Sequence, residues 1–153
     1  MITTDPNSAD TPLEIIKSGL LDLTIHKAEN LEKCDIFGKG DPYVVAILNG
    51  QKIHKTTVKH STQQPSFNET KQSLLSDVTK SHLTLNVYDE DKFGADTFLG
   101  SVEFNLVRLR TSHLEFKALP LERSEKEAHG SLYISLSFNP MPIINPILVN
   151  PYK

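Results

Sequence analysis

The chain has little of what several protein classes require. It contains one cysteine (Cys34) and no tryptophan among its 153 residues, which excludes an intramolecular disulfide framework and a cysteine-based structural zinc site. No apolar run approaches the roughly 18 residues that a membrane-spanning helix needs. The net charge of −3, from 16 basic and 19 acidic residues, gives no general nucleic-acid footprint, so a nucleic-acid partner is not expected.

Recognisable catalytic motifs are missing as well. The sequence has no HExxH, GxSxG, P-loop or CxxC pattern, and its histidines are scattered without ligand spacing. We therefore expect a non-enzymatic module, which stands alone or is attached to a larger enzyme such as a ligase, a kinase or a lipid enzyme. The opening residues, MITTDPNSAD, lack the basic and apolar stretches of a secretory signal, so a cytoplasmic location is expected.

The dominant pattern is alternation with a period of two. Apolar and polar residues alternate in four segments: residues 21–26, 83–88, 102–106 and 132–138. Each segment is predicted to be a strand with one face on a core and one toward water. Residues 43–48 are more continuously apolar and are followed by Asn49-Gly50, a strong hairpin signal. Because helical periodicity is weak throughout, these features predict an antiparallel β-sandwich.

The two ends of the chain differ from this central region. Residues 1–17 are polar at first and contain two prolines, so we expect an N-terminal arm ahead of a domain that spans 18–139. Residues 140–153 combine four prolines with an apolar stretch, and proline both removes a donor and disfavours helix. This tail is predicted to be extended, either as a final edge strand or as a linker to a further domain.

Two segments that follow predicted strands are unusually acidic. The first, AENLEKCDIFGKGDPYV, contains Asp35 and Asp41 around a glycine-containing turn. The second, VYDEDKFGADTFLG, contains four acids: Asp89, Glu90, Asp91 and Asp96. Asp89 and Asp91 are two residues apart, so at the end of a strand their carboxylates point the same way. Loops cluster at the ends of a sandwich, and if these two are neighbours then four carboxylates converge.

Converging carboxylates repel one another unless a cation lies between them. All the ligands are then oxygens, which favours calcium or magnesium over zinc or copper, and bidentate carboxylates on mobile loops favour calcium. The competing interpretation is that these are ordinary turn aspartates, whose side chains bond nearby backbone donors. The spacing in both segments, each after a strand, favours the metal site.

The same residues carry a resemblance to a known family. Four segments resemble the C2 domain signature in its order: Ala28-x-Asn30-Leu31 with Gly40-Asp41-Pro42-Tyr43-Val44; Lys55-Thr56-Thr57-Val58 with Gln64-Pro65-Ser66-Phe67-Asn68-Glu69; Leu85-x-Val87-Tyr88-Asp89-Glu90-Asp91 with Phe98-Leu99-Gly100; and Gly130-Ser131-Leu132. The resemblance implies an eight-stranded antiparallel β-sandwich that docks on phospholipid in a calcium-dependent way. Because no strand-like alternation precedes Gly19, the permuted topology of the family is suggested, with its eighth strand from the C-terminus, and 144–149 is the candidate.

Carried over by position, the resemblance implies a set of calcium ligands: Asp35 and Asp41 in the family's first loop, and Asp89, Asp91 and the backbone carbonyl of Glu90 in its third loop. The fifth acid of the family departs from the pattern, since Thr97 stands at its position and Asp96 lies one residue earlier. Asp96 and Thr97 are therefore alternative fifth ligands. Because threonine is neutral, we expect one firm calcium site and a weaker second one.

The acidic loops also carry residues suited to a membrane surface, and the predicted contacts are Ile36, Phe37, Lys39, Lys92 and Phe93. Without calcium, a negative loop end is repelled by anionic lipid, and a bound cation removes that repulsion. Apolar residues at the loop tips then gain free energy by entering the headgroup boundary. The alternative for each aromatic residue is that it folds back onto the sandwich.

A weak basic patch is formed by Lys52, Lys55 and Lys59, on the strand predicted after the hairpin. C2 domains often carry a phosphoinositide-binding patch on this strand. Strict alternation places Lys55 and Lys59 on one face with Ile53, and Lys52 on the other with His54. This division predicts a solvated strand face.

Two other functions stay open at this stage. A C2 sandwich can serve as a calcium-independent scaffold for a protein partner, and the departure at Thr97 keeps that alternative open. An enzyme that uses a carboxylate pair in glycosidase-type chemistry is the third hypothesis. It has poor support, because sugar-binding aromatics are expected around the acids and the chain has no tryptophan.

Overall fold

The computed structural model describes residues 16–33, 38–109 and 113–142. This part of the chain forms eight strands: β1 (Gly19–Glu29), β2 (Pro42–Leu48), β3 (Gln51–Lys55), β4 (Ser66–Leu75), β5 (His82–Asp89), β6 (Thr97–Asn105), β7 (His113–Pro120) and β8 (Ser131–Pro140). Two single turns of 3₁₀ helix, Val78–Lys80 and Leu106–Arg108, lie at the end of the sandwich opposite the β1–β2 and β5–β6 loops. This end is called the far end. No helix within the described ranges is long and apolar enough to cross a membrane.

The strands form two antiparallel four-stranded sheets, in the orders β4-β1-β8-β7 and β3-β2-β5-β6. This arrangement confirms the predicted eight-stranded antiparallel sandwich. The last strand, β8, pairs directly with the first, β1, which agrees with the permuted order suggested by the resemblance. The eighth strand is Ser131–Pro140 and not 144–149, a segment that lies outside the described residues, as do most of the predicted N-terminal arm and tail.

The core is built from the alternating residues that the period-two pattern singles out. Leu21, Leu23 and Ile25 of β1 are buried while their neighbours are partly exposed, and β5 and β8 repeat the pattern. The inward faces of the two sheets meet in one apolar cluster that also includes Leu31 and Leu99. Because these two residues lie close to the ends of the acidic loops, core packing fixes the base of each loop.

Strand pairing brings the two acidic loops to the same end of the sandwich. The first loop, residues 30–41, joins β1 to β2, and the third loop, residues 90–96, joins β5 to β6. Pro42 at the start of β2 is paired with Asp89 at the end of β5, and Asp89 is paired with Thr97 at the start of β6. The register of three neighbouring strands therefore makes the two acidic loops neighbours, as the sequence predicts.

Candidate functional site

An open cleft of about 450 Å³ lies between the first and third loops. Its walls include several of the sequence-predicted ligands: Asp41, Asp89, Glu90, Asp91 and Thr97. Lys39, Lys92 and Phe93 line the same cleft. Three other sequence-predicted residues, Asp35, Ile36 and Phe37, lie outside the described residues.

Asp89 joins the two loops at the floor of the cleft. Its Oδ1 accepts a hydrogen bond of 2.7 Å from the backbone N–H of Asp41, and the N–H of Glu90 donates in return to the Asp41 carbonyl at 2.9 Å. Asp89 is only 8% exposed, and a carboxylate at that depth needs donors around it. The two loops are thus held together by reciprocal backbone and carboxylate contacts.

Gly40 allows the first loop to approach this carboxylate. Its φ of +99° lies in a region that side chains disfavour, and a Cβ at this position would lie 3.3 Å from Asp89 Oδ2. Glycine therefore serves both the backbone conformation and the close approach. The next residue, Asp41, can therefore donate its N–H to the same carboxylate.

Asp41 is fixed by a segment that the sequence analysis did not connect with the site. Its Oδ1 accepts the backbone N–H of Ser61 at 2.8 Å and lies 3.6 Å from His60 Nδ1. The same segment bonds the first loop through the N–H of Thr62, which donates to the Gly40 carbonyl at 3.0 Å. These contacts depend on the backbone path between β3 and β4, and neither periodicity nor a motif in the sequence predicts them.

Asp91 organises the tip of the third loop. Its Oδ1 accepts the N–H of Phe93 at 2.9 Å, which is the local turn bond typical of aspartate. The turn-aspartate interpretation is thus correct for this side chain, and it does not exclude a ligand role, because each carboxylate oxygen has a second lone pair.

Asp96 braces the third loop against β2. Its Oδ1 accepts the N–H of Asp91 at 3.0 Å, and its Oδ2 accepts the hydroxyl of Tyr43. The Tyr43 hydroxyl, followed by the Asp91 N–H, lowers the pKa of Asp96 below its ordinary value. Burial, reinforced by the Asp96 carboxylate, raises the pKa of Tyr43. Both Asp96 oxygens are therefore engaged in the support of the loop, while Thr97 lines the cleft.

The donor chemistry of the cleft fits a hard cation. Four of its lining residues, Asp41, Asp89, Glu90 and Asp91, carry carboxylates, and carboxylate oxygens are ligands that calcium prefers. Within the described ranges, however, no three His, Cys, Asp or Glu side chains are grouped closely enough to hold a metal ion. From the described part of the first loop, Asp41 lines the cleft. Asp89, at the end of β5, and Asp91, from the third loop, line it as well.

Phe93 stands at the rim of the cleft and is 99% exposed. The alternative that this ring folds back onto the sandwich is therefore excluded. Lys39 and Lys92, beside the same cleft, are exposed too. The loop end thus presents two cationic side chains next to its carboxylates, together with one exposed aromatic ring whose apolar surface is unfavourable in water.

The basic patch does not follow strict alternation. Val45 is paired with Lys55 and Ile47 with Lys52, and the register shifts between these pairs, so Ile53 is the extra residue of a β-bulge. Paired residues share a face, and Lys52 and Lys55 therefore lie on the same face. The expectation that alternation separates them is wrong, because a bulge depends on the partner strand and not on the strand's own sequence.

Two side chains at the patch, Lys55 and His54, have local partners. Lys55 Nζ lies 4.5 Å from the centre of the Tyr43 ring, a cation–π contact. His54 Nε2 lies 2.9 Å from Glu69 Oε1, and this contact links β3 to β4 across the open edge of the sandwich. Lys59 lies beyond the end of β3, so its predicted place on that strand is wrong; it is half-buried, and its backbone N–H donates to the Pro42 carbonyl. The patch remains thin, in line with a solvated strand face.

Comparison with known proteins gives a consistent set of matches. The family model described as "C2 domain" matches residues 19–121. Synaptotagmin-3 of Arabidopsis thaliana is 32% identical over 137 residues, which cover 80% of this chain and 24% of that protein. A calcium-dependent lipid-binding protein of the same plant is 29% identical over 134 residues, covering 83% of this chain and 26% of that protein. The chain thus spans about a quarter of the length of these relatives.

Solved structures show the same likeness in three dimensions. A single C2 domain of plant extended synaptotagmin 1 is 29% identical to this chain and superimposes with a TM-score of 0.74. The match covers 82% of this chain and 97% of that domain. The sandwich described above is therefore shared almost end to end with one domain of that protein.

Proposed function

The chain belongs to the C2 domain family, and from this premise we propose that it binds anionic phospholipid membranes through its first and third loops in a calcium-dependent way. The domain itself acts by binding and not by catalysis. In a cell this proposal means a cytoplasmic domain that associates peripherally with the membrane when calcium is bound. The relative named a calcium-dependent lipid-binding protein, 29% identical, supports this choice.

The observation that carries the proposal is the position of Phe93. The ring is 99% exposed, which is unfavourable in water. Its burial is favourable by about 25 cal/mol for each Å² of apolar surface removed from water. Its backbone is tied to Asp91 by the 2.9 Å hydrogen bond, so the ring is presented at a fixed place beside the carboxylates. A headgroup boundary offers both an apolar layer for the ring and phosphates beside it.

The residues that would hold calcium are Asp41, Asp89, Asp91 and the backbone carbonyl of Glu90. Asp35 is also proposed, on the resemblance alone, since it lies outside the described residues. When bound, calcium would supply positive charge to the carboxylates and coordination positions to lipid phosphate oxygens.

The surrounding residues do the positioning. Asp41 and Asp89 hold each other through the backbone bond at 2.7 Å, so these two carboxylates are arranged before any ligand arrives. Asp96 supports the third loop through Tyr43 and Asp91. We therefore propose Asp96 as a positioning residue, with Thr97 as the neutral group at the fifth position. Because fewer charged ligands lower calcium affinity, a second calcium ion would bind more weakly, and we expect one firm site.

The test is co-sedimentation with phosphatidylserine-containing vesicles, with calcium and with EGTA. We expect binding with calcium and release with EGTA, and phosphatidylcholine vesicles serve as the neutral control. Raising the salt concentration should weaken binding, because the attraction to anionic lipid is screened. Equal binding in calcium and EGTA, or none in either, contradicts the proposal.

One observation favours a second candidate, a calcium-independent scaffold for a protein partner. In the described parts of the chain no three potential ligands are grouped for a metal ion, and Asp96 is committed to Tyr43. A scaffold needs neither the cation nor the lipid. The vesicle experiment separates the two candidates, because the scaffold predicts no calcium-dependent co-sedimentation.

A further inference from the structure

The connection between β7 and β8, residues 121–130, lies behind both acidic loops. Ser101 of β6 and Glu122 exchange two backbone hydrogen bonds of 2.8 and 2.9 Å. Gly100 permits this approach, since a Cβ there would lie 2.9 Å from the Cβ of Leu121. Leu121 is buried, and its N–H donates to the Gly130 carbonyl at 3.0 Å. The connection is therefore anchored to the strand that leaves the third loop.

Arg123 extends from this anchored connection to both acidic loops. Its Nη1 donates to the Phe98 carbonyl at 3.0 Å, one residue after Thr97. Its Nη2 donates to Glu32 Oε2 at 2.8 Å, in the first loop, and to the Glu127 carbonyl at 3.0 Å. The side chain is only 7% exposed. One buried guanidinium thus joins the base of the first loop to the exit of the third loop.

The first-loop partner of Arg123 is itself held in place. Leu31, next to Glu32, is buried in the core, its N–H donates to the Gln63 carbonyl at 3.1 Å, and its own carbonyl accepts the Gln63 side-chain amide at 2.7 Å. The Arg123 guanidinium, helped by Lys126, lowers the pKa of Glu32 despite its partial burial. Glu32 is therefore an ionised, fixed anchor at the base of the first loop.

This use of arginine is specific to its shape. The planar guanidinium donates in several fixed directions at once, which a lysine ammonium on a flexible stem does not reproduce. Its buried Nε finds no acceptor among the described residues, so the group is not placed for maximal hydrogen bonding. The Nη1 and Nη2 groups donate to Phe98 at the start of β6, to Glu32 in the first loop and to Glu127 in the β7–β8 connection. This set of acceptors favours a role in the spacing of the loops.

We propose that Arg123 is a positioning residue of the candidate calcium site, which sets the separation of the first and third loops from behind the cleft. The inference rests on the proposed function for its calcium readout. The effect of Arg123 on the spacing of the loops can also be measured without calcium, because the hydrogen bonds among Asp41, Asp89 and Glu90 form in the absence of an ion. Among the described residues, the hydrogen bonds of Arg123 go to Glu32, Phe98 and Glu127, so it acts on the two loops through Glu32 and Phe98.

The test compares Arg123→Gln with the wild-type domain in calcium titration calorimetry. Loss of a group that hydrogen-bonds a metal ligand weakens metal affinity by about 10-fold or more. Arg123 acts one contact further away, so we expect a smaller loss, of up to about 10-fold. Arg123→Lys should recover only part of it, because lysine keeps the charge without the fork. Arg108→Gln is the matched control: Arg108 is exposed on the short helix at the far end of the sandwich, and its loss should leave the affinity unchanged.

A second measurement does not require calcium. In the calcium-free domain, amide hydrogen exchange of Asp41 and Glu90 should be faster in Arg123→Gln than in wild type, while the exchange of β1 amides stays the same. Glu32→Gln should reproduce this pattern more weakly, and it serves as the variant if Arg123→Gln does not fold.

The outcomes separate this inference from the proposed function. If wild type binds calcium and a folded Arg123→Gln binds it equally well, the positioning role is overturned. If wild type binds no calcium, the proposed function fails. The hydrogen-exchange experiment then tests by itself whether Arg123 positions the two loops. Unchanged exchange at Asp41 and Glu90, or faster exchange spread evenly over all strands, contradicts the positioning role.

Discussion

Asp89 is the one buried carboxylate among the described residues of the sandwich, and its position separates it from its neighbours. Asp91 and Asp96 are exposed, so water already stabilises their charges. Asp89 instead depends on donors such as the Asp41 N–H, 2.7 Å away. A charge that is removed from water and crowded by other acids gains most from a bound cation.

We therefore predict that Asp89→Asn abolishes the heat of calcium binding in titration calorimetry. The amide oxygen still accepts the Asp41 N–H, so the calcium-free domain should keep its fold and show an unchanged or higher melting temperature, because one repulsive charge is gone. Glu103→Gln is the control, since Glu103 is exposed on β6 away from the cleft. Undiminished calcium heat in Asp89→Asn means that the ligand assignment is wrong.

At the residue scale, the sequence predicts which carboxylates line the cleft better than it predicts what each one does. Asp41, Asp89 and Asp91 are found there because their spacing and their strand ends are visible in the chain. The engagement of Asp96 by Tyr43 is not visible, because Tyr43 lies on β2, 53 residues earlier. Nor does any local pattern point to Arg123, whose partners come from separate parts of the chain.

At the scale of elements, period-two alternation predicts the strands well because burial itself alternates along them. The 21–26 pattern falls within β1 and the 132–138 pattern within β8. Irregularities escape this reasoning: the register shifts near His26 in β1 and near Ile53 in β3 come from pairing with neighbours. The second of these overturns the predicted separation of Lys52 from Lys55.

The attachment of the third loop to β2 is a further element-scale feature, and it gives a pH-dependent prediction. Tyr43 is buried, and its hydroxyl donates to the Asp96 carboxylate. The hydroxyl also lowers the pKa of Asp96, so the folded state favours the ionised form. This stabilisation is fully present above the unfolded-state pKa of about 3.9 and is lost as the pH falls through the lower pKa of the folded state.

Tyr43→Phe should accordingly lower the free energy of unfolding by about 1 kcal/mol at pH 7. The difference from wild type should shrink as the pH falls below about 4, because Asp96 then becomes protonated in both proteins. Urea unfolding at about pH 7, pH 4 and pH 3 measures both quantities. A difference that is constant over this range would show that the hydroxyl does not act through an ionised Asp96.

At the scale of the whole molecule, the two ends of the sandwich are chemically different. The loop end combines acidic walls, Lys39 and Lys92 with the bare ring of Phe93. The far end carries Leu74, which is 65% exposed and lies where β4 ends. An apolar side chain is thus exposed at each end, but only Phe93 lies in the cleft with the carboxylates and cationic side chains. Membrane binding by the loop end requires that these two exposed residues behave differently.

Phe93→Ala should weaken calcium-dependent binding to phosphatidylserine vesicles by about 10-fold, because partial burial of a phenylalanine side chain contributes on the order of 1.5 kcal/mol. Calcium affinity in solution should stay nearly the same, since the Phe93 backbone N–H that bonds Asp91 is retained. Leu74→Ala removes a comparable exposed group at the far end and should leave vesicle binding unchanged. A parallel loss of calcium affinity in Phe93→Ala would assign the ring a structural role, and equal losses in both variants would mean that no particular end of the sandwich faces the membrane.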